Sequence, residues 1–251
     1  MRKLTLAGLL LAAAVALPSA GCTKEPARDK AFGEKVHAYL LAHPEVIEEA
    51  IDKLNSSRQA NQRAAAKTAI AEHRRQLERD PRDFVAGNPA GAVTVVEFFD
   101  YRCPFCKASQ PDVLKLLQTH KDVRLVLKEF PILDAEDNTK ISEDAARAAL
   151  AAKAQGKYLP VHEALLAEKH LDEAGIQRVL KEHGVDLAQA KTLAQAPATG
   201  SLLSDNHTLA RAIGIDGTPT FIVGDKLVQG ARMDELEAGI AAVREANKRR
   251  G

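Results

Sequence analysis

Residues 93–106 read VTVVEFFDYRCPFC, and this stretch decides the fold. Residues 93–99 are almost continuously apolar, which is typical of a strand buried on both faces. Pro104 suits the first turn of a helix, and the leucines that follow it continue that helix. Residues 123–127 are apolar apart from Arg124 and predict a second buried strand. The stretch therefore opens a strand–helix–strand unit.

Cys103 and Cys106 form a C-x-x-C pair at the start of the predicted helix. Zinc sites use the same spacing, but zinc needs four ligands, and neither a second Cys pair nor a close His pair accompanies this one. A redox pair fits better, because the free amides and the dipole of a helix N-terminus stabilise a thiolate. We expect Cys103 to be the nucleophile and Cys106 to resolve the mixed disulfide. A structural disulfide here would close too short a loop to stabilise much.

The composition limits the partners. Thirty-five Lys and Arg balance 34 Asp and Glu in 251 residues, so the formal charge is +1. A net charge this small would not attract the chain to nucleic acid, and a nucleic-acid partner is not expected. The eight His residues are scattered along the chain. We therefore expect neither a metal site nor an organic cofactor.

The downstream pattern completes an α/β domain over residues 81–251. A helical insertion is predicted at about 139–213. Two short strands follow at 220–223 and 226–229, joined by a Gly-Asp pair that suits a tight hairpin. A final amphipathic helix closes the chain.

The N-terminus looks like an export signal, which we assign to residues 1–22. Arg2 and Lys3 precede an apolar run too short to span a bilayer comfortably, and small residues follow it. Cys22 comes directly after Ser19-Ala20-Gly21 and is a candidate for lipidation, as in bacterial lipoproteins. Ser19 departs from the usual Leu, so ordinary cleavage nearby is the alternative.

Residues 23–80 predict a helical stem without strands. Phe32, Val36, Tyr39 and Leu40 share one face of a first helix, which should end near Pro44. The stretch up to residue 80 then carries few apolar residues among many charges, so it cannot fold alone on burial. A solvated linker and an oligomerising stem both fit this pattern, and the pattern alone favours the linker slightly.

The motifs together resemble the DsbA-like branch of the thioredoxin superfamily. The resemblance rests on VVEFFDY at 95–101 before the CPFC motif, KEFP at 128–131, the helical insertion, and GTPT at 217–220. YLLAHPEVI at 39–47 is similar to the stem opening of ScsC-type members, the suppressor-of-copper-sensitivity disulfide isomerases. Some of those proteins form trimers through this segment, which favours an oligomerising stem at residues 30–80.

The resemblance implies roles for individual residues. Pro219 would be a cis-proline facing the cysteines, and Thr218 would offer backbone groups to a substrate strand. Glu97 and Lys128 would form a charged pair beneath the site that helps proton transfer from Cys106. Phe105 has no side-chain donor for the Cys103 thiolate, whereas DsbA itself has His there.

We therefore expect a thioredoxin-like fold with an inserted helical subdomain, preceded by a helical stem, that acts as a milder oxidant than DsbA. It would exchange disulfides in cysteine-containing envelope or secreted proteins of the periplasm, with a membrane redox partner. An isomerase is favoured, because several active sites around one substrate can attack it repeatedly. A DsbA-like oxidase is the alternative enzyme, and an envelope binding or chaperone module is the alternative of another class.

Overall fold

The computed structural model describes residues 30–249 of the chain, which consist of short strands and many helices. The helices are α1 (Lys30–Ala42), α2 (Glu45–Glu72), α3 (Arg74–Arg79), α4 (Pro104–Thr119), α5 (Asp134–Asp137), α6 (Ile141–Lys153), α7 (Tyr158–Ala167), α8 (Glu173–Glu182), α9 (Leu187–Ala194), α10 (Pro197–Ile213) and α11 (Met233–Lys248). The strands are β1 (Phe84–Gly87), β2 (Val93–Phe99), β3 (Val123–Glu129), β4 (Thr220–Val223) and β5 (Lys226–Gln229). Among the described residues, no helix is long and apolar enough to cross a membrane.

The described chain divides into two compact units between Asn55 and Ser56. The first unit contains α1 and the first part of α2, and none of its described residues is buried. Residues 56–80, which were predicted to belong to the stem, lie in the second unit. Ile70 of α2 and Leu77 of α3 are buried in the core of the second unit. The sequence did not reveal this, because two apolar residues among many charges give no helical stripe.

The second unit is built on one five-stranded sheet with the strand order β1-β3-β2-β4-β5. β2 and β3 are parallel, and α4 connects them, which confirms the predicted strand–helix–strand unit. The other strand pairs are antiparallel. The edge strand β1 was not predicted, because its four residues, Phe84–Gly87, are too short to show an alternating pattern.

Each face of the sheet is covered by helices. On the first face the apolar side chains of β2 and β3 belong to a core formed with α4, α11 and helices α6 to α9 of the insertion. On the second face they belong to a core formed with α2, α3 and α10. Buried residues that represent the first face are Val95, Phe99, Leu125, Val113 and Leu236. Their counterparts on the second face are Val96, Phe98, Val126, Leu77 and Leu209. Successive residues of β2 thus face opposite layers, as the two-residue repeat of a strand requires.

The helical insertion comprises α5 to α10. It begins at Asp134, slightly before the predicted start at residue 139. Asp172 caps α8, as its carboxylate accepts a 2.7 Å hydrogen bond from the Gly175 amide. Gly214 ends α10 with φ of 83°, a conformation that favours glycine. The start of α8 and the end of α10 therefore have ordinary helix caps.

Candidate active site

Both motif cysteines lie where β2 passes into α4. Cys103 is the N-cap of α4, and Pro104 is the first residue of the helix, as predicted. Cys106 lies in the first turn, and both side chains are buried free thiols. Cys103 is slightly the more exposed of the two, at 4% against 1%, and Phe105 between them is 67% exposed. The exposed Phe105 ring offers an apolar surface at the rim of the site.

The loop before β4 brings a second segment to the cysteines. The Thr218–Pro219 peptide bond is cis, as the resemblance implied. The Cys103 thiol donates a 3.2 Å hydrogen bond to the carbonyl oxygen of Thr218. The Pro219 carbonyl accepts a 2.8 Å hydrogen bond from the Gly230 amide, which ties the loop to the end of β5. Thr218 and Pro219 therefore face Cys103, and their binding of substrate remains a prediction.

The two thiols have opposite electrostatic surroundings. A hydrogen bond with Cys106, contacts with Thr218 and the backbone amides of Cys106 and Phe105 lower the pKa of Cys103 to about 6, against the opposing effect of burial. Burial, the hydrogen bond with Cys103 and the charge of the Cys103 sulfur raise the pKa of Cys106 far above its ordinary value. Cys103 is thus a thiolate at neutral pH, and Cys106 is a thiol that attacks second.

Glu97 lies beneath the cysteines without the partner that was expected. Its side chain shares a face with Val95 and Phe99 and lies close enough to Cys106 that the ionised form of Glu97 would raise the pKa of that thiol. Glu97 Oε2 is buried and has no hydrogen-bond partner among the described residues. Burial raises the pKa of Glu97 to about 8. Glu97 is therefore a protonated acid at neutral pH, held close to the resolving cysteine.

The expected ion pair between Glu97 and Lys128 is not formed, and that prediction was wrong. Phe98, not Glu97, is opposite Lys128 in the parallel register, so the two charged residues lie on opposite faces of the sheet. Lys128 Nζ instead lies 2.5 Å from Asp83 Oδ2 and donates to the Gln76 carbonyl at 2.7 Å. Both charged side chains of this pair are almost completely buried. Lys128 therefore anchors the segment that follows α3, on the face away from Cys106.

Comparison with known proteins agrees with this geometry. A family model described as a DSBA-like thioredoxin domain matches residues 94–241, which is more than half of the chain. The chain belongs to the DsbA-like thioredoxin family. A second model, described as the N-terminal domain of the copper resistance protein ScsC, matches residues 30–61 of this DsbA-like protein. The resemblance to both groups is thereby confirmed.

Similar proteins support the same class of activity. A thioredoxin-like oxidoreductase from Silicibacter pomeroyi DSS-3 is 40% identical, with a TM-score of 0.65, over 68% of this chain and 98% of that one. Proteus mirabilis ScsC in a transitional conformation is 28% identical, with a TM-score of 0.62, over 87% of this chain and 98% of that one. With the cysteine geometry, these findings show that the matched domain is a thiol-disulfide oxidoreductase domain of the DsbA type.

The curated relatives that match first are larger proteins. The Na(+)/H(+) antiporter NhaA 3 of Salinispora tropica is 36% identical over 172 residues, which are 66% of this chain and 25% of the antiporter. The DsbA-like chain thus spans about a quarter of the length of these relatives.

A buried polar cluster beside the motif was missed in the sequence. Glu129 Oε1 accepts hydrogen bonds from the Tyr101 hydroxyl at 3.1 Å and the Tyr158 hydroxyl at 2.7 Å. The Tyr101 hydroxyl also lies 3.0 Å from His162 Nδ1. Burial raises the pKa of Glu129 to about 8 and lowers that of His162 to about 3. The available signal was a carboxylate at the end of an apolar strand, where burial demands hydrogen-bond partners.

Two other predicted features have different outcomes. Cys22 lies outside the described residues. Within residues 30–249, no group of three or more His, Cys, Asp and Glu side chains is arranged to hold a metal ion.

Glu97 gives this DsbA-like protein a specific dependence of stability on pH. Its pKa is 4.5 ordinarily and about 8 in the folded protein, so the folded state binds a proton that the unfolded state has released. Stability from this group is complete below pH 4.5 and is lost as the pH rises through 8. Relative to Glu97→Gln, the wild-type free energy of unfolding should fall by about 2–4 kcal/mol between pH 5 and pH 8.

The measurement is urea unfolding of both proteins across that pH range. Glu182→Gln, at an exposed position of α8, is the matched control and should parallel the wild type. A constant difference between wild type and Glu97→Gln would contradict the assignment of a buried, protonated Glu97.

Proposed function

We propose that the protein is exported to the bacterial envelope and acts there as a protein disulfide isomerase that assembles through its N-terminal helices. The observation that carries this proposal is an apolar stripe on α1 and the first half of α2. Five of its side chains are each at least 40% exposed: Val36, Tyr39, Ile47, Ile51 and Leu54. We call these residues the stem stripe. Such a stripe is stabilised only when another surface covers it.

A second copy of the same chain is the proposed cover, and the resemblance implies a trimer. Ile47, Ile51 and Leu54 recur at helical spacing on α2, as in helices that pack against one another. The match of residues 30–61 to the ScsC N-terminal model supports the same assignment for this segment. The active sites of several copies would then surround one substrate, and a mixed disulfide could be attacked repeatedly before release.

Envelope location is part of the proposal. Its supports are the export signal expected at residues 1–22 and a likeness to a periplasmic thioredoxin-like protein from Salmonella enterica, 29% identical. The substrates would be cysteine-containing envelope or secreted proteins, and a membrane redox partner would keep the motif in its working state. Cell fractionation would test the location, and lipid labelling of wild type and Cys22→Ser would test the anchor.

The functional test uses the full mature protein and substitutions in the stem stripe. Wild type should sediment as an oligomer and reactivate scrambled ribonuclease. Ile51→Asp combined with Leu54→Asp should give monomers that lose this repair but still oxidise reduced ribonuclease. Lys53→Glu, an exposed change between the two sites, is the matched control and should behave as wild type.

Each alternative function has its own outcome in this assay. Oxidation of reduced ribonuclease alone, indifferent to the stem stripe, would establish a DsbA-like oxidase and leave the stem as a spacer. Repair of scrambled ribonuclease by monomers would separate isomerisation from assembly and overturn the proposal.

A further inference from the structure

The loop between β2 and α4 holds both cysteines through its backbone. We call residues 100–102 the active-site loop. The Asp100 carbonyl accepts a 3.1 Å hydrogen bond from the Cys103 amide. The Asp100 carboxylate accepts hydrogen bonds from the amides of Ile132 and Leu133, at 2.9 and 3.1 Å. The position of this loop therefore decides where the cysteines lie.

The same loop affects the resolving cysteine most. Burial and the Cys103 sulfur raise the pKa of Cys106, while a hydrogen bond from the backbone of Asp100 lowers it. The pKa of Cys103 depends less on the loop, because its thiolate is stabilised by Cys106, Thr218 and the amides of the first turn of α4. A displaced loop would thus impair Cys106 before it impaired Cys103.

Tyr101 connects the active-site loop to the buried cluster around Glu129. Its hydroxyl donates to Glu129 at the end of β3, and Tyr158 of α7 donates to the same carboxylate oxygen. The backbone of Glu129 is held as well, because its carbonyl accepts a 3.1 Å hydrogen bond from Asn206 of α10. Tyr101, Glu129 and Tyr158 are each at most 2% exposed. Glu129 therefore joins the insertion to the active-site loop.

We propose that Glu129 is a positioning residue for Cys106, which it holds in place through the hydroxyl of Tyr101 and the active-site loop. The proposal rests on the thiol-disulfide exchange assigned to the two cysteines and is independent of isomerase activity and assembly. Tyr101 transmits the effect, because it is the member of the cluster that belongs to the loop. Tyr158 binds the same oxygen from α7 and does not transmit it.

The step concerned is the second half of the exchange. Cys103 thiolate attacks a substrate disulfide, forms a mixed disulfide with one substrate sulfur and releases the other as a thiolate. Cys106 then gives its proton to solvent, and its sulfur attacks the Cys103 sulfur. The bond between Cys103 and the substrate breaks, and its electron pair leaves with the substrate sulfur. The products are the Cys103–Cys106 disulfide and a fully reduced substrate.

The two halves can be timed separately with an aromatic disulfide that releases thionitrobenzoate. Reaction of the reduced protein releases one thionitrobenzoate in the Cys103 step and another in the Cys106 step. Tyr101→Phe should slow the second release about tenfold, the loss expected for one buried hydrogen bond, and leave the first within about twofold. Tyr158→Phe is the matched control, since it removes a hydroxyl from the same oxygen, and it should leave both releases within about twofold.

Substitutions of Glu129 complete the test. Glu129→Gln keeps an oxygen that accepts from both tyrosines and should retain the wild-type rates, whereas Glu129→Leu should slow the second release as Tyr101→Phe does. Equal slowing by Tyr101→Phe and Tyr158→Phe, or slowing of both releases, would overturn the proposal and leave the cluster a purely structural role. So would a wild-type rate in both Tyr101→Phe and Glu129→Leu. A wild-type protein without any second release would instead refute the exchange assigned to Cys106.

Discussion

Replacing Cys103 by serine is expected to reduce disulfide exchange by at least about a thousandfold, to the background rate. A serine hydroxyl neither ionises near neutral pH nor forms a disulfide, whereas the surroundings of Cys103 hold its pKa at about 6. The measurement is the rate at which the reduced protein cleaves a fluorescent disulfide peptide.

Cys106→Ser is the matched control for this substitution, because it also replaces a sulfur by an oxygen, one helical turn away. It should retain the first attack and accumulate mixed disulfides, which mass spectrometry detects as a substrate adduct on Cys103. Exchange by Cys103→Ser at more than a tenth of the wild-type rate would disprove the assignment of the nucleophile. Full biological activity of Cys103→Ser in cells would favour the binding or chaperone module.

Replacing Asp83 by asparagine is expected to lower the free energy of unfolding by about 3–5 kcal/mol. Asp83 is the ion-pair partner of Lys128, whose side chain has no exposed surface. Without the carboxylate, the lysine ammonium would be left buried beside a neutral amide. Urea unfolding at pH 8 measures the loss, since the pKa of Asp83, raised by burial to about 6, leaves the carboxylate ionised there.

The pair in this experiment can be compared with an exposed one. Glu245→Gln breaks an ion pair with Lys248 at the surface of α11 and should lower the free energy of unfolding by less than about 1 kcal/mol. Asp83→Asn combined with Lys128→Met should recover most of the lost stability. Because the pair faces away from Cys106, folded Asp83→Asn should keep the wild-type rates of thiol exchange. A slower Cys106 step in this variant would instead support the role that the resemblance implied for Lys128.

The sequence was sufficient for those parts of the site that depend on local structure. Residues 93–106 carry a buried strand and a proline-initiated helix, so Cys103 had to lie at a helix N-terminus. The short hairpin around Gly224 was predictable for the same reason, because a turn is encoded by the residues that form it. The expectation that Pro219 faces the cysteines came from the resemblance and not from any local pattern.

The parts that the sequence did not reveal depend on contacts between distant segments. The side on which Lys128 lies follows from the register of β2 with β3, which no single strand encodes. The cluster around Glu129 includes Tyr158 and Asn206 from helices of the insertion. The apolar repeat of each helix does not show how that helix packs against β3. The burial of Ile70 could not be predicted from its own helix, because the residues that cover it belong to a sheet later in the chain.

The pairing of β2 with β4 also affects how each newly synthesised chain folds. Val95 pairs with Val223, and the entire helical insertion lies between them in the chain. Contacts between such distant residues form late, because the entropy of closing a long loop opposes them. A chain made from its N-terminus therefore carries Cys103 before Thr218 exists to face it. Each new copy therefore passes through an interval in which its own Cys103 can exchange with disulfides of other proteins, as a substrate of the chemistry that it later performs.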